Sequence, residues 1–371
     1  MNDLSSKKRI AVLFGGRSGE HDVSLASARN VLSVLDRNKY EIFPVGISQS
    51  GSWYSGKNVL DQLGSGNVND LDKVTILPDP GMPGLYRINS GNLDLLTPLD
   101  IVFPVLHGTF GEDGTLQGLL EMADLAYVGG AVLGSSVGMD KGVFKDVMRS
   151  NDIPVVESIL VLRKDIEKDV DTVIMQTESN FSYPVFVKPA NLGSSVGISK
   201  CIHRSDLLEG LQEAAKYDRR ILIERGINAR EIEISVLGND HPRASVAGEV
   251  LPSRDFYSYE SKYIDGTSRL SIPAEIPATV SDQIRAIAIK AFKAIDCAGM
   301  ARVDFFIDRE DGKFYLNELN SLPGFTSISM YPKLWQASDL PLNELVDTLI
   351  DLALERKSER DHTERSFRSN K

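Results

Sequence analysis

Arg302, Asp304, Glu318 and Asn320 are the residues of this chain whose types and spacing point most directly to chemistry. Side chains alternate faces along a strand, so Arg302 and Asp304 share one face of Met300–Ile307. Glu318 and Asn320 share one face of the returning run Phe314–Leu319. A hairpin turning at Asp311-Gly312 sets Asp304 opposite Glu318 and Arg302 opposite Asn320. Two carboxylates, a carboxamide oxygen and a guanidinium then meet on one patch. Like charges held this close repel unless a cation lies between them. Hard oxygen donors suit magnesium, which takes few protein ligands and keeps water and phosphate oxygens. The same four residues also fit a solvated sheet face carrying an Arg302–Asp304 ion pair.

Four loops add candidates. Lys188 ends an apolar run and opens Asn191–Gly197, a stretch of small residues whose backbone N–H groups could close around phosphate. It is not a Walker A motif, and an ordinary Gly/Ser turn is the plainer reading. Gly15–Asp22 joins a strand to a helix, where ligands bind in open parallel sheets. There Glu20 either complements the helix dipole or holds a substrate ammonium. No GxGxxG fingerprint is present, which excludes a dinucleotide-dependent dehydrogenase. His107 stands at a strand end before Gly108-Thr109-Phe110-Gly111, either as a core histidine or as a functional one. Asp255–Tyr263 carries three tyrosines and Lys262 in a long loop, either a lid or a packed surface loop.

The elements that must position these residues follow from periodicity. Arg9–Phe14, Glu41–Ile47 and Ile101–Leu106 read as strands, and Asp22–Leu35 and Thr115–Met122 as helices, which predicts a parallel α/β unit over residues 1–130. Ser48–Thr97 is rich in Gly, Ser, Asn, Asp and Pro and reads as an insertion or elaborated edge of that unit. A second unit, 131–231, holds a helix over Met139–Met148 and strands at Ile159–Leu162, Pro184–Lys188 and Arg220–Glu224. A third, 232–371, holds antiparallel strands, the amphipathic helix Val280–Ile295 and the hairpin. Arg356–Lys371 reads as a frayed tail. The 371 residues carry 42% hydrophobic and 25% charged side chains, which excludes wholesale disorder. A net charge of -11 argues against binding nucleic acid or an acidic membrane. No run is long enough to span a bilayer, and the two cysteines form no metal-type cluster. A cytoplasmic protein is expected.

The motifs HGTFGEDG (107–114), VKPANLGSSVG (187–197), YSYESKY (257–263), ARVDFF (301–306) and NELNSLPGFTSISMYP (317–332) together resemble the D-alanine–D-alanine ligase family of the ATP-grasp superfamily. The resemblance covers about residues 8–350. It implies a three-domain ATP-grasp fold: an N-terminal parallel α/β domain and two α+β domains clamping ATP. It implies that ATP phosphorylates one D-alanine, whose acylphosphate is attacked by the amine of a second. Asp304, Glu318 and Asn320 would hold two magnesium ions, with manganese as a substitute. Lys141, Lys188, Ser194, Ser195 and Lys262 would face the nucleotide phosphates, and Glu224, Arg225, Ile227 and Glu231 the adenine and ribose. Glu20 would take the first substrate's ammonium, linked to Ser195 and Tyr263, with His107 facing the same substrate. Arg302 and the Gly324 backbone would form an oxyanion hole, and Ser329 and Met330 would bind the second carboxylate. Gly226 departs from relatives that carry a bulkier side chain nearby. Joining D-alanine to D-lactate or D-serine is the alternative within the resemblance, with Tyr263 as the discriminating position. A homodimer through the N-terminal domain is also implied.

Overall fold

The computed structural model describes residues 7–193, 196–251 and 269–364. Three sheets follow one another along the chain. The first contains β1 (Lys8–Gly15), β2 (Tyr40–Ile47), β7 (Ile101–Val105) and β8 (Ala126–Tyr127), all parallel. Ile10 to Phe14 are inaccessible to solvent on both faces, as a central parallel strand requires. α1 (His21–Val34) follows β1, so the β1–α1 turn sits at the carboxyl end of the sheet. The polar region 48–97 is not a free linker. It forms β3 (Trp53–Ser55), β4 (Asp72–Ile76), β5 (Gly84–Asn89) and β6 (Asn92–Pro98), which extend the sheet antiparallel beyond β2.

The second sheet has the order β11-β10-β12-β9, with β9 at Ser158–Leu162, β10 at Val185–Pro189, β11 at Ser199–Cys201 and β12 at Arg220–Arg225. Two helices, α6 (Arg163–Asn180) and α7 (Arg204–Tyr217), bury Ile166, Val173, Leu207 and Leu211 against it. The third sheet has the order β15-β14-β13-β16-β17. Its strands are β13 (Ala229–Gly238), β14 (Arg243–Leu251), β15 (Arg269–Ser271), β16 (Gly299–Asp308) and β17 (Phe314–Asn320), backed by α8 (Ala278–Ala294). α3 (Thr115–Met122) matches its expected span.

Two expectations are corrected. The single helix over Met139–Met148 is two: α4 (Val132–Met139) and α5 (Lys141–Ser150). Asp140 breaks them because its side chain accepts from Gly142 N and Val143 N, both at 3.0 Å, and so caps the start of α5. The tail does not fray at 356. After the short α9 (Met330–Gln336), α10 runs over Leu342–Asp361. Arg356 donates to the carbonyls of Tyr127 and Gly129, and Arg360 pairs with Glu121 and Asp124. Those carbonyls and acids belong to the first domain, so the basic residues are fixed rather than solvated. No described helix is long and apolar enough to cross a membrane.

Candidate functional site

A cleft of about 440 Å³ opens between the second and third sheets. α5 and β10 supply Lys141 and Lys188, β12 and the following turn supply Glu224 to Ile227, and β16 and β17 supply Asp304, Glu318 and Asn320. The hairpin has the expected register: Asp304 faces Glu318, and Arg302 faces Asn320. The Arg302–Asp304 ion pair is present, on a face largely sheltered from solvent. Arg302 clamps Asp304 through Nε at 2.8 Å and Nη2 at 2.7 Å. Its Nε also lies 3.0 Å from Glu233 on β13. The Asn320 amide donates to Asp304 at 3.1 Å, and Lys141 Nζ lies 3.7 Å from Glu318.

Among the described residues no group of three or more His, Cys, Asp or Glu is arranged to hold a metal. The donors on the hairpin are two carboxylates and one amide, all able to offer oxygen. That set suits a hard divalent cation. The Asn320 amide must turn for its oxygen to serve, since its N–H₂ now points at Asp304.

Under the cleft floor, Glu224 is 3% exposed. Its Oε1 pairs with Lys145 at 2.6 Å, and its Oε2 pairs with Lys188. Burial pushes this carboxyl up, but the two ammonium groups outweigh it and hold it at about 2. Arg225 instead turns outward, to Glu157 at 2.8 Å and over the Tyr315 ring. Ile227 and Glu231 line the cleft. Lys141 reaches back to the carbonyl of Leu192 at 2.8 Å, which ties α5 to the Gly/Ser loop.

Glu20 sits on the far side of that loop, immediately before α1. A Cβ on Gly108 would come within 2.5 Å of its Oε2, and one on Gly193 within 2.8 Å. Those two glycines therefore let loops from the first and second domains close onto one carboxylate. His107 is buried with both ring nitrogens engaged. Nδ1 lies 2.9 Å from the Leu322 carbonyl, which only accepts, so Nδ1 carries the proton. Nε2 then accepts from Ser27 Oγ at 3.2 Å. Burial lowers the pKa of this histidine, against the opposing charge of Glu20, and keeps it neutral.

Glu112 completes a clasp on the same segment, accepting from Gly108 N at 2.8 Å and Leu322 N at 3.1 Å. Ser27 Oγ accepts from Phe325 N, and Asn30 donates to the Phe325 carbonyl at 2.8 Å. The first domain thus holds the turn that follows β17 by both ends. Gly324 lies inside that turn. Ser329 Oγ bonds Thr326 N and Oγ1 at 2.9 and 2.7 Å. The Met330 side chain is packed with Val250 and Leu334, so only its backbone can meet a ligand. Ser194, Ser195, Lys262 and Tyr263 lie outside the described residues.

Sequence reading missed Glu112, Glu233 and Lys145. Glu112 stood inside a quoted motif. Lys145 left a signal too: it follows Lys141 by four residues, hence on the same helix face. Cys201 and Cys297 are buried, and burial pushes both thiols up to about 12, so neither is a nucleophile near neutrality.

Two α+β units clamping a cleft, with lysines on one wall and carboxylates on the other, behind a parallel α/β domain, define the three-domain ATP-grasp class. Family models described as D-ala D-ala ligase N-terminus and C-terminus match residues 9–130 and 147–351. The D-alanine–D-alanine ligase of Heliobacterium modesticaldum is 48% identical over 361 residues, covering 97% of this chain and 98% of the relative. That of Natranaerobius thermophilus is 47% identical, covering 97% and 99%. Among solved structures, the D-alanine–D-alanine ligase from Coxiella burnetii superposes with TM-score 0.84 at 37% identity, covering 96% of this chain and 97% of that one. The VanG D-Ala:D-Ser ligase from Enterococcus faecalis gives 0.84 at 35%, covering 94% and 100%. The chain belongs to the D-alanine–D-alanine ligase family.

Proposed function

We propose that the protein is an ATP-dependent ligase that joins two D-alanines into D-alanyl-D-alanine for cell-wall precursor synthesis. The observation that carries this is the cleft itself. Lys141 and Lys188 face Asp304, Glu318 and Asn320 across it, and Glu20 and Arg302 stand at the junction with the first domain.

The chemistry is phosphoryl transfer followed by acyl transfer, which needs positioning and charge stabilisation more than covalent help. Lys141 and Lys188 bind the nucleotide phosphates. Glu20 receives the ammonium of the first D-alanine and orients its carboxylate toward the γ-phosphate. Transfer gives the acylphosphate and ADP. The amine of the second D-alanine, losing its proton, attacks the acyl carbon, and phosphate leaves. Arg302 is held in place by Glu233 and Asp304, where it can stabilise the tetrahedral oxyanion together with the Gly324 backbone N–H. Ser329 takes the carboxylate of the second D-alanine. Asp304, Glu318 and Asn320 would hold divalent magnesium, which when bound would neutralise phosphate charge. Lys262, Ser194, Ser195 and Tyr263 complete the closed site by resemblance. We place the enzyme in the cytoplasm, acting as a homodimer.

The test is phosphate release from ATP and magnesium with D-alanine, L-alanine, D-alanine plus D-serine, or D-alanine plus D-lactate, with products identified by mass. Release with D-alanine alone and a D-alanyl-D-alanine mass is expected. A mixed product formed in preference would transfer the reading to the D-alanine–D-serine or D-alanine–D-lactate reaction. No release with any substrate would refute it.

A further inference from the structure

Lys145 is a buried cation for which the reaction above has no use. It is 1% exposed and does not line the cleft among its described walls. It stands one helical turn after Lys141 on α5, pointing beneath the cleft. Its Nζ reaches Glu224 Oε1 at 2.6 Å and the Val156 carbonyl at 3.2 Å. Lys188, which does line the cleft, takes the other oxygen of the same carboxylate.

Burial lowers the Lys145 pKa and Glu224 opposes that; with both lysines protonated the cluster reads +1, -1, +1 across three side chains. Glu224 fixes where the Lys188 ammonium points. By itself it would also cancel that ammonium's charge, leaving a neutral pair facing the phosphates. Lys145 returns the missing positive charge from below, out of reach of any ligand. Charges in so dry a place are weakly screened, so one unit more or less is felt strongly across a few ångströms. A merely structural ion pair would need one lysine, not two, on one carboxylate.

We propose that Lys145 is a positioning residue that neutralises Glu224 and so leaves Lys188 with a net positive charge for the nucleotide phosphates. This rests on the nucleotide reading of the cleft.

The test combines Lys145→Met, Lys145→Gln and the double variant Lys145→Met/Glu224→Gln in the full chain. KM is measured for ATP at saturating D-alanine and for D-alanine at saturating ATP, and the Kd of magnesium–ADP is measured by calorimetry. Lys145→Met is expected to raise the ATP KM and the ADP Kd about 10-fold or more, with the D-alanine KM held within about 2-fold. Lys145→Gln keeps a donor toward Glu224 and Val156 but not the charge, and should give the same rise even if the Met variant folds poorly. Adding Glu224→Gln to Lys145→Met removes the uncompensated negative charge and should recover about 3-fold or more of the lost affinity. The proposal is overturned if Lys145→Gln keeps wild-type ATP affinity, if both KM values rise together, or if the double variant binds nucleotide worse than the single. Wild-type protein that binds no magnesium–ADP would instead sink the nucleotide reading, and the proposal with it.

Discussion

Two glutamates near the cleft show how one side chain takes opposite electrostatic states. Glu224 is satisfied by two ammonium groups and held at about 2. Glu112 is satisfied by two backbone N–H groups and is pushed up to about 8, by removal of its carboxyl from water and by the neighbouring charge of Glu20. Its backbone partners and Arg302 oppose that rise without reversing it. The lesson is that hydrogen-bond donors alone do not keep a sheltered carboxylate charged when a like charge stands beside it. Glu224 belongs to a cluster of three charges at the cleft. Glu112 belongs to a clasp that joins domains.

The largest effect is expected at Glu224. Glu224→Ala leaves two buried ammonium groups facing each other and should cost about 3–5 kcal/mol in urea unfolding. A loss near zero would mean that the lysines find other partners and that the triad is not a unit. Glu112→Ala strands two backbone donors and should cost less, about 1–3 kcal/mol.

Acidity sharpens the contrast, because the two residues should respond in opposite directions. Glu224 has a folded-state pKa below its ordinary 4.5, so its contribution is present above 4.5 and is lost as pH falls toward 2. Glu112 has a raised folded-state pKa. Its contribution is full below about 4.5 and is lost as pH rises through about 8. Glu112→Gln, which imitates the protonated acid, should therefore lose the stability decline expected of the unaltered chain between about pH 4.5 and 8. Equal slopes in both proteins would place the Glu112 proton elsewhere. The smallest effect is expected at the edge of the clasp. Ser27→Ala removes one donor to His107 and one acceptor for Phe325 N, and should cost about 1 kcal/mol in the same assay.

How far such features could be read from the chain depends on how local they are. The Asp304–Glu318 register was legible because alternation and a Asp-Gly turn lie within one short hairpin. The parallel first sheet was legible from β1 and β7, whose apolar runs end in glycine-rich loops. The clasp was not, because its partners at Leu322 and Phe325 are backbone groups, which no side-chain pattern advertises. Lys145 and Glu224 lie on different elements, and a lysine on a helix ordinarily reads as solvated. The same habit misjudged Arg356 and Arg360. A run of charges looked like a loose end because their acceptors, two main-chain carbonyls and two acids, lie more than two hundred residues upstream.

That last attachment has a consequence for biosynthesis. Leu345, Val346, Leu349, Ile350 and Ala353 of α10 share one core with Ile10, Val12 and Phe14 of β1. Translation delivers β1 well before α10. Ala28, Val31 and Leu35 cover part of that face of the first sheet early, but the part beneath α10 stays open until that helix is made. A polypeptide stalled before Leu342 leaves that part of the sheet exposed, a natural substrate for holding chaperones.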